Sequence, residues 1–256
     1  MARLKGVIKI VGHLDDLSCY EMDGLEGEII VRKGWGPDKT RMRTSKSFES
    51  QRLHGKEFGA CAKHSSVLRR ALRGALCNLP QLRLTGQVNK LMYTLLKLDM
   101  ESLWGERSTL KGLESTDALQ VLQGFNFNTK TALKDVLKKK PLCDLKKGEL
   151  NIKELLPGRD ILFPEGASAV ELKTTHALVD LEGGTYEVTE SETVVLTSKH
   201  AKKNIILQTK GSRKGKGLEV LVLSLSFRGE QNGKQSLLEE KLFNVCSVAG
   251  FDYRSI

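Results

Sequence analysis

The chain has 256 residues, of which 39% are hydrophobic and 28% charged, and it carries a net charge of +10. That balance excludes a disordered or collagen-like ground state, and no apolar run approaches the roughly 20 residues that a membrane helix needs. The opening Met1-Ala-Arg-Leu-Lys-Gly lacks the apolar stretch of a secretion signal, so the expectation is a cytoplasmic protein with no membrane partner.

In chain order, the first residues read as β structure. Val7-Ile8-Lys9-Ile10-Val11 is rich in β-branched side chains, and Glu28 to Arg32 is a second such run. Asp23, Gly24 and Gly27 supply turn chemistry between them, and Gly34-Trp35-Gly36-Pro37-Asp38 closes the segment as a loop. Helix comes next. Thr44 or Ser45 is placed to cap a short helix reaching about Leu53, with Gly55 expected to interrupt it. Phe58, Cys61, Ser65, Leu68, Leu72 and Ala75 then recur at intervals of three and four, which puts them on one helical face. Leu84, Val88, Leu91, Met92, Leu95 and Leu96 make a third helical stripe, Asp117 to Gln123 a further turn or two, and Gly124 to Asn128 alternates like a strand.

From about residue 149 the period becomes two. Candidate strands are Leu150–Leu155, Asp160–Phe163, Ser168–Leu181, Tyr186–Thr189, Thr193–Thr197, Ile205–Thr209, Leu218–Arg228 and Ser236–Val248. Gly183-Gly184 and Gln231-Asn232-Gly233 are hairpin signals between neighbouring strands. Leu221, Leu223, Leu225 and Phe227 share a strand face that should line a core. The pattern predicts an α+β chain with an N-terminal β-hairpin and helical region, residues 1–148, and a C-terminal antiparallel β-sandwich, immunoglobulin-like or similar, residues 149–256.

The charge is unevenly placed. Residues 151–256 carry equal numbers of basic and acidic side chains, so the excess lies wholly in the first part. Between residues 39 and 79 there are ten basic side chains against Glu49 and Glu57; between 130 and 147 there are seven lysines against Asp135 and Asp144. Such clustering suggests a polyanionic partner, with Lys39, Arg41, Arg43, Lys63, Arg69, Arg70 and Arg73 as the candidate nucleic-acid contacts. A solvated helical face and an acidic protein partner are the competing readings. No basic-aromatic interleaving of a base-stacking platform occurs.

Other motifs fail on their chemistry. Lys210-Gly-Ser-Arg-Lys-Gly-Lys-Gly217 is glycine-rich and basic, yet no Ser or Thr succeeds its lysine and a strand, not a helix, comes next. Five cysteines, Cys19, Cys61, Cys77, Cys143 and Cys246, include no CxxC pair, and Cys61, His64 and Cys77 lack a fourth metal ligand. His13, His54, His64, His176 and His200 sit in no catalytic frame. Glu187, Glu190 and Glu192 form an acidic patch without calcium-loop spacing. No cofactor, metal or catalytic residue is expected.

Several blocks, in order, resemble a family of uncharacterised Bacteroidetes proteins of unknown function. They are Gly6, Gly12, Leu14, Leu17-Ser18 and Tyr20, then Val31-Arg32-Lys33-Gly34. Phe48, Arg52, Glu57-Phe58-Gly59, Lys63, Leu68-Arg69 and Ala71-Leu72 come after them, then Gly105-Glu106-Arg107 and Gly124-Phe125-Asn126-Phe127-Asn128. Later come Pro164 to Ala167, Val179-Asp180, Gln231-Asn232-Gly233 and Phe243-Asn244. Arg228-Gly229-Glu230 departs from the pattern where an aromatic is expected. The resemblance implies a helical N-terminal region and a sandwich-like C-terminal part, and no activity. The functional expectation is a non-enzymatic structural, assembly or protein-interaction module, self-associating or bound to a protein partner. A sequence-nonspecific nucleic-acid binder and an enzyme of unrecognised type are the alternatives.

Overall fold

Strand residues must find backbone partners, and Ile29–Lys33 finds them in Ala2–Leu4 on one side and Leu17–Glu21 on the other. The computed structural model describes residues 2–4, 10–15, 17–21, 29–33, 39–210, 215–231, 234–238 and 241–254. The chain divides into two units, Met1–Arg52 and Leu53–Ile256. In the first, β1 (Ala2–Leu4), β2 (Gly12–Leu14), β3 (Leu17–Glu21) and β4 (Ile29–Lys33) form an antiparallel sheet in the order β1-β4-β3-β2. The strand expected over Glu28–Arg32 is present as β4, but its partners are β1 and β3, and Ile10 and Val11 belong to no strand. The turn at Asp23, Gly24 and Gly27, the loop Gly34–Asp38 and most of the Val7–Val11 run lie outside the described residues. The unit continues into α1 (Lys39–Thr44). Ser45 then caps a single 3-10 turn by accepting the Ser47 N–H at 3.3 Å. Arg52 Nη1 donates to the carbonyls of Met42 and Ser45, at 2.9 and 2.8 Å, and so satisfies acceptors that the end of α1 leaves over.

The helix α2 (Glu49–Ala71) runs unbroken through Gly55 and Gly59. The interruption expected at Gly55 does not occur. A glycine costs about 1 kcal/mol in a helix interior, too little to stop a helix whose other side is anchored by packing. The buried stripe is Glu57, Cys61, Ser65, Leu68 and Leu72, and Phe58 is 53% exposed. The stripe therefore starts one residue before the expected Phe58, because Glu57 finds buried partners. After α3 (Arg73–Leu76), α4 (Leu84–Leu96) buries all six residues of its expected stripe. The short helices α5 (Thr109–Glu114), α6 (Ala118–Leu122) and α7 (Leu133–Val136) come next. A Cβ at Gly112 of α5 would lie 1.8 Å from the Leu95 carbonyl oxygen, so α4 and α5 approach at a distance only glycine permits.

The remaining elements are β5 (Leu142–Asp144), β6 (Glu149–Leu155), the helical turn α8 (Pro157–Asp160), β7 (Ala169–Val179), β8 (Tyr186–Glu190), β9 (Val194–Thr197), β10 (Lys203–Gln208), β11 (Gly217–Gln231), β12 (Lys234–Leu237) and β13 (Val245–Arg254). The long strands β7 and β11 pair antiparallel at the centre of a six-stranded sheet. Each carries two short strands in tandem on its outer edge, β8 and β9 along β7, β13 and β12 along β11. A separate sheet has the order β10-β6-β5. At the Gly183-Gly184 turn, the Asp180 side chain accepts the Gly183 N–H at 2.8 Å. At the β11–β12 turn Gln231 pairs with Lys234, and Asn232-Gly233 lies outside the described residues.

The central sheet is buried on both faces. Leu218, Val220 and Val222 of β11 join Ala177, Val179, Cys246 and Val248 in a core with the buried faces of α2 to α6. Leu221, Leu223, Leu225 and Phe227 point the other way, into a second core with Leu150, Ile152, Ile205 and Leu207 of the small sheet. That explains why β11 reads as a near-continuous apolar run. The fold is α+β, and its C-terminal sheet curls into a half-barrel.

The boundary expected at 148/149 does not match the observed division, because the helices after residue 53 share their core with β7, β11 and β13. Two expected strands also change. Asp160–Phe163 contributes one bridge, Ile161 to Leu137. Ser236–Val248 is interrupted between Leu237 and Val245, where Lys241–Phe243 forms a 3-10 turn; buried Asn244 ends that turn, its Oδ1 accepting the Phe227 N–H at 2.9 Å and its Nδ2 donating to the Asn78 carbonyl at 2.8 Å. Gly124–Asn128 joins β13 through Gly124 N–H to Val248 O and Phe127 N–H to Cys246 O without becoming a strand.

Candidate phosphate-binding pocket

Arginines that share one helix face can be solvated separately or can surround a common space; the path of the chain beyond the helix decides which. Here α2 ends at Ala71, and the chain turns through α3 and the residues after it into α4. Gln81 stabilises that return: its Nε2 donates to the carbonyls of Leu76 and Leu79, both at 2.9 Å. The return leaves a pocket of about 390 Å³ lined by Ser66, Arg69, Arg70, Arg73, Gln81 and Thr85, with Leu76, Cys77 and Leu84 between them.

The lining holds three guanidinium groups and no carboxylate. Arg70 and Arg73 are exposed and Arg69 is half-buried. The Arg69 Nε is shielded from solvent and has no hydrogen-bond partner among the described residues. A buried donor left unpaired costs about 1–3 kcal/mol. Leu84 and Thr85 stand at the N-terminal end of the 13-residue α4, where the helix dipole adds partial positive charge. Ser66 and Thr85 supply hydroxyls. Glu190 stands beside Gly74, the residue after Arg73, with its Oε1 2.6 Å from where a Cβ on Gly74 would sit, and it is paired with Lys173.

Of the seven residues expected to contact nucleic acid, Arg69, Arg70 and Arg73 come together in this pocket. Lys63 is exposed on α2 outside its lining. Lys39, Arg41 and Arg43 are exposed on α1, in the other unit. Sequence reasoning missed Ser66, Gln81 and Thr85. Ser66 sits one turn before Arg69 and Arg70 and could have been added; Gln81 and Thr85 come from beyond the return and carry no local signal.

The other chemical groups serve the framework. Asp99 accepts N–H bonds from Glu101, Ser102 and Ser108 at 2.9–3.2 Å. Burial pushes its carboxyl pKa up, the Ser108 and Ser102 donors push it down, and the net shift is downward. His176 Nε2 lies 2.9 Å from Glu219 Oε1, and Arg254, whose side chain is 40% exposed, pairs with the same buried carboxylate. Cys61 Sγ is 3.7 Å from Thr109 Oγ1, whereas Cys77 Sγ donates to the Gly74 carbonyl at the surface. Among the described residues no group of three or more His, Cys, Asp or Glu is placed to hold a metal ion. No helix among them is long and apolar enough to cross a membrane.

No family model, curated protein or solved structure matches the chain. The resemblance to the Bacteroidetes family therefore rests on the sequence blocks alone.

Proposed function

We propose that the protein is a non-enzymatic nucleic-acid-binding module that holds phosphate groups in the Arg69–Arg70–Arg73 pocket. The observation that supports this reading is the convergence of three arginines on one concavity that no carboxylate lines, at a helix N-terminus. Guanidinium forks match phosphate oxygens, and binding of this kind releases counterions. Titration of labelled single- and double-stranded DNA and RNA, monitored by anisotropy at 50 and 200 mM salt, tests it. Binding should weaken steeply with salt and be lost in Arg69→Ala/Arg70→Ala/Arg73→Ala. Absence of binding to all four at 50 mM salt sinks the reading.

A protein-interaction module is the second reading. It is supported by the adjacent exposed side chains of Leu103 and Trp104, which are 76% and 44% exposed, since exposed apolar surface marks contact sites. The finer view of the C-terminal sheets as an immunoglobulin-like sandwich belongs with it, supported by the core they share. A monomer by light scattering at high concentration, unchanged by Trp104→Ser, argues against self-association.

A further inference from the structure

The second basic cluster has a different surround from the first. Lys134, Lys138, Lys139 and Lys140 rim a cleft of about 280 Å³ whose walls are Leu133, Leu137 and Pro141. Gly124, Asn126 and Ser247 complete the lining. Lys139 lies near enough to Glu154 and Asp160 to influence both carboxyls, so Lys134, Lys138 and Lys140 are the cations with least local compensation. Asp135 shares α7 with them, and its Oδ2 accepts the Ala132 N–H at 3.0 Å. The cleft therefore combines a cationic rim with an apolar interior.

Ser247 adds the decisive detail. It is 1% exposed, and its Oγ has no hydrogen-bond partner among the described residues. The neighbouring Asn126 is occupied: its Nδ2 donates to Gly124 O at 3.0 Å and its Oδ1 accepts the Leu133 N–H at 2.9 Å. These bonds hold the start of α7 against the cleft and make the site rigid. A simple hydrocarbon tail would fill the walls and leave the Ser247 hydroxyl unpaired. A ligand that suits all three features needs flat apolar faces, a polar edge and an anionic group at the mouth. A nucleotide has this construction.

We infer that this cleft receives an unstacked nucleobase, clamped between apolar side chains with its polar edge toward Ser247 and its phosphate at the lysine rim. The volume is at the lower end of small-molecule sites and suits one base. The site is linked to the arginine pocket through the first turn of α4. Leu84 and Thr85 line that pocket, and Gln87 Nε2, two residues on, donates to the Asn126 carbonyl at 3.3 Å. The inference takes its ligand class from the nucleic-acid reading, and the experiment separates the two.

Calorimetric titration of Arg69→Ala/Arg70→Ala/Arg73→Ala with each of four nucleoside monophosphates, ribose 5-phosphate and octanoate reads the cleft alone. A nucleotide should bind at least tenfold tighter than ribose 5-phosphate. Adding Ser247→Ala should weaken that binding about threefold to tenfold, the worth of one hydrogen bond, with thermal melting showing an intact fold. Lys134→Glu/Lys138→Glu should weaken nucleotide and ribose 5-phosphate alike. No nucleotide binding, equal binding of ribose 5-phosphate, or tighter binding of octanoate each overturns the inference. In that case nucleic-acid binding by the unmodified protein through its arginines can still stand. Mononucleotide binding without nucleic-acid binding would instead leave the cleft and remove the arginine pocket.

Discussion

Arg107 grips both carboxylate oxygens of Glu57, its Nε 2.8 Å from Oε1 and its Nη2 2.7 Å from Oε2, and the Gly105 N–H adds a third bond at 2.7 Å. Glu57 is 1% exposed, so this clasp satisfies a charge in the wall of the helical core. Removing one partner of a buried pair strands the other. Glu57→Ala should lower stability by about 3–5 kcal/mol in urea denaturation at pH 7. Glu57→Gln should cost less, because it keeps an acceptor for Gly105.

Acid should lower the stability of the protein in two steps. Burial lowers the His64 pKa from its ordinary 6.5, so the unfolded chain takes up a proton first and stability falls as pH drops through 6.5. The Arg107 hydrogen bonds lower Glu57 from its ordinary 4.5, so a second loss begins below about that pH and is complete below the lowered folded-state value. Melting temperatures from pH 8 to 3 should show both stages. His64→Gln should remove the upper one, and Glu57→Gln should flatten the lower.

Two glycine-to-alanine changes should act with opposite signs. Around Gly55, within the long helix α2, a Cβ meets nothing within 4 Å, so Gly55→Ala should stabilise by about 0.5–1 kcal/mol. At Gly112 the Cβ would run into the Leu95 carbonyl at 1.8 Å, and Gly112→Ala should destabilise by about 1–3 kcal/mol or more. Equal effects in denaturant titrations would show that the close approach of α4 and α5 is not maintained in solution.

The salt dependence of nucleic-acid binding should report how many arginines contact phosphate. Each arginine that does so contributes about 0.9 to the slope of log K against log salt on duplex DNA. Single Arg69→Ala, Arg70→Ala and Arg73→Ala variants should each reduce the slope by about that amount. An unchanged slope in all three assigns the contacts elsewhere.

Thiol labelling offers an independent check. Cys77 is exposed and lines the arginine pocket, whereas Cys61 and Cys246 are buried and burial pushes their thiol pKa values up. Burial also pushes Cys143 up to about 11. A maleimide should therefore modify Cys77 before Cys143, and bound nucleic acid should slow the reaction at Cys77. Unaltered labelling at saturation would argue that the ligand does not cover the pocket.

The division of labour between chain and fold comes from the range of the forces involved. Period and composition act locally, so the α4 stripe from Leu84 to Leu96 and the Leu221–Phe227 face of β11 were readable in residue order. So was the clustering of charge. Glu57 was not, because its partner Arg107 lies fifty positions away and a lone carboxylate on a helix is ordinarily solvated. The interruption before Val245 was hidden for the same reason: the bonds of Asn244 go to Phe227 and Asn78. Nor could residue order show which elements cover the two faces of β11, since a near-continuous apolar run says only that both are buried. Sequence alone established that arginines gather near residue 70. Only the return of the chain from α3 into α4 decided that three of them enclose a pocket, because convergence depends on contacts between residues far apart in the chain.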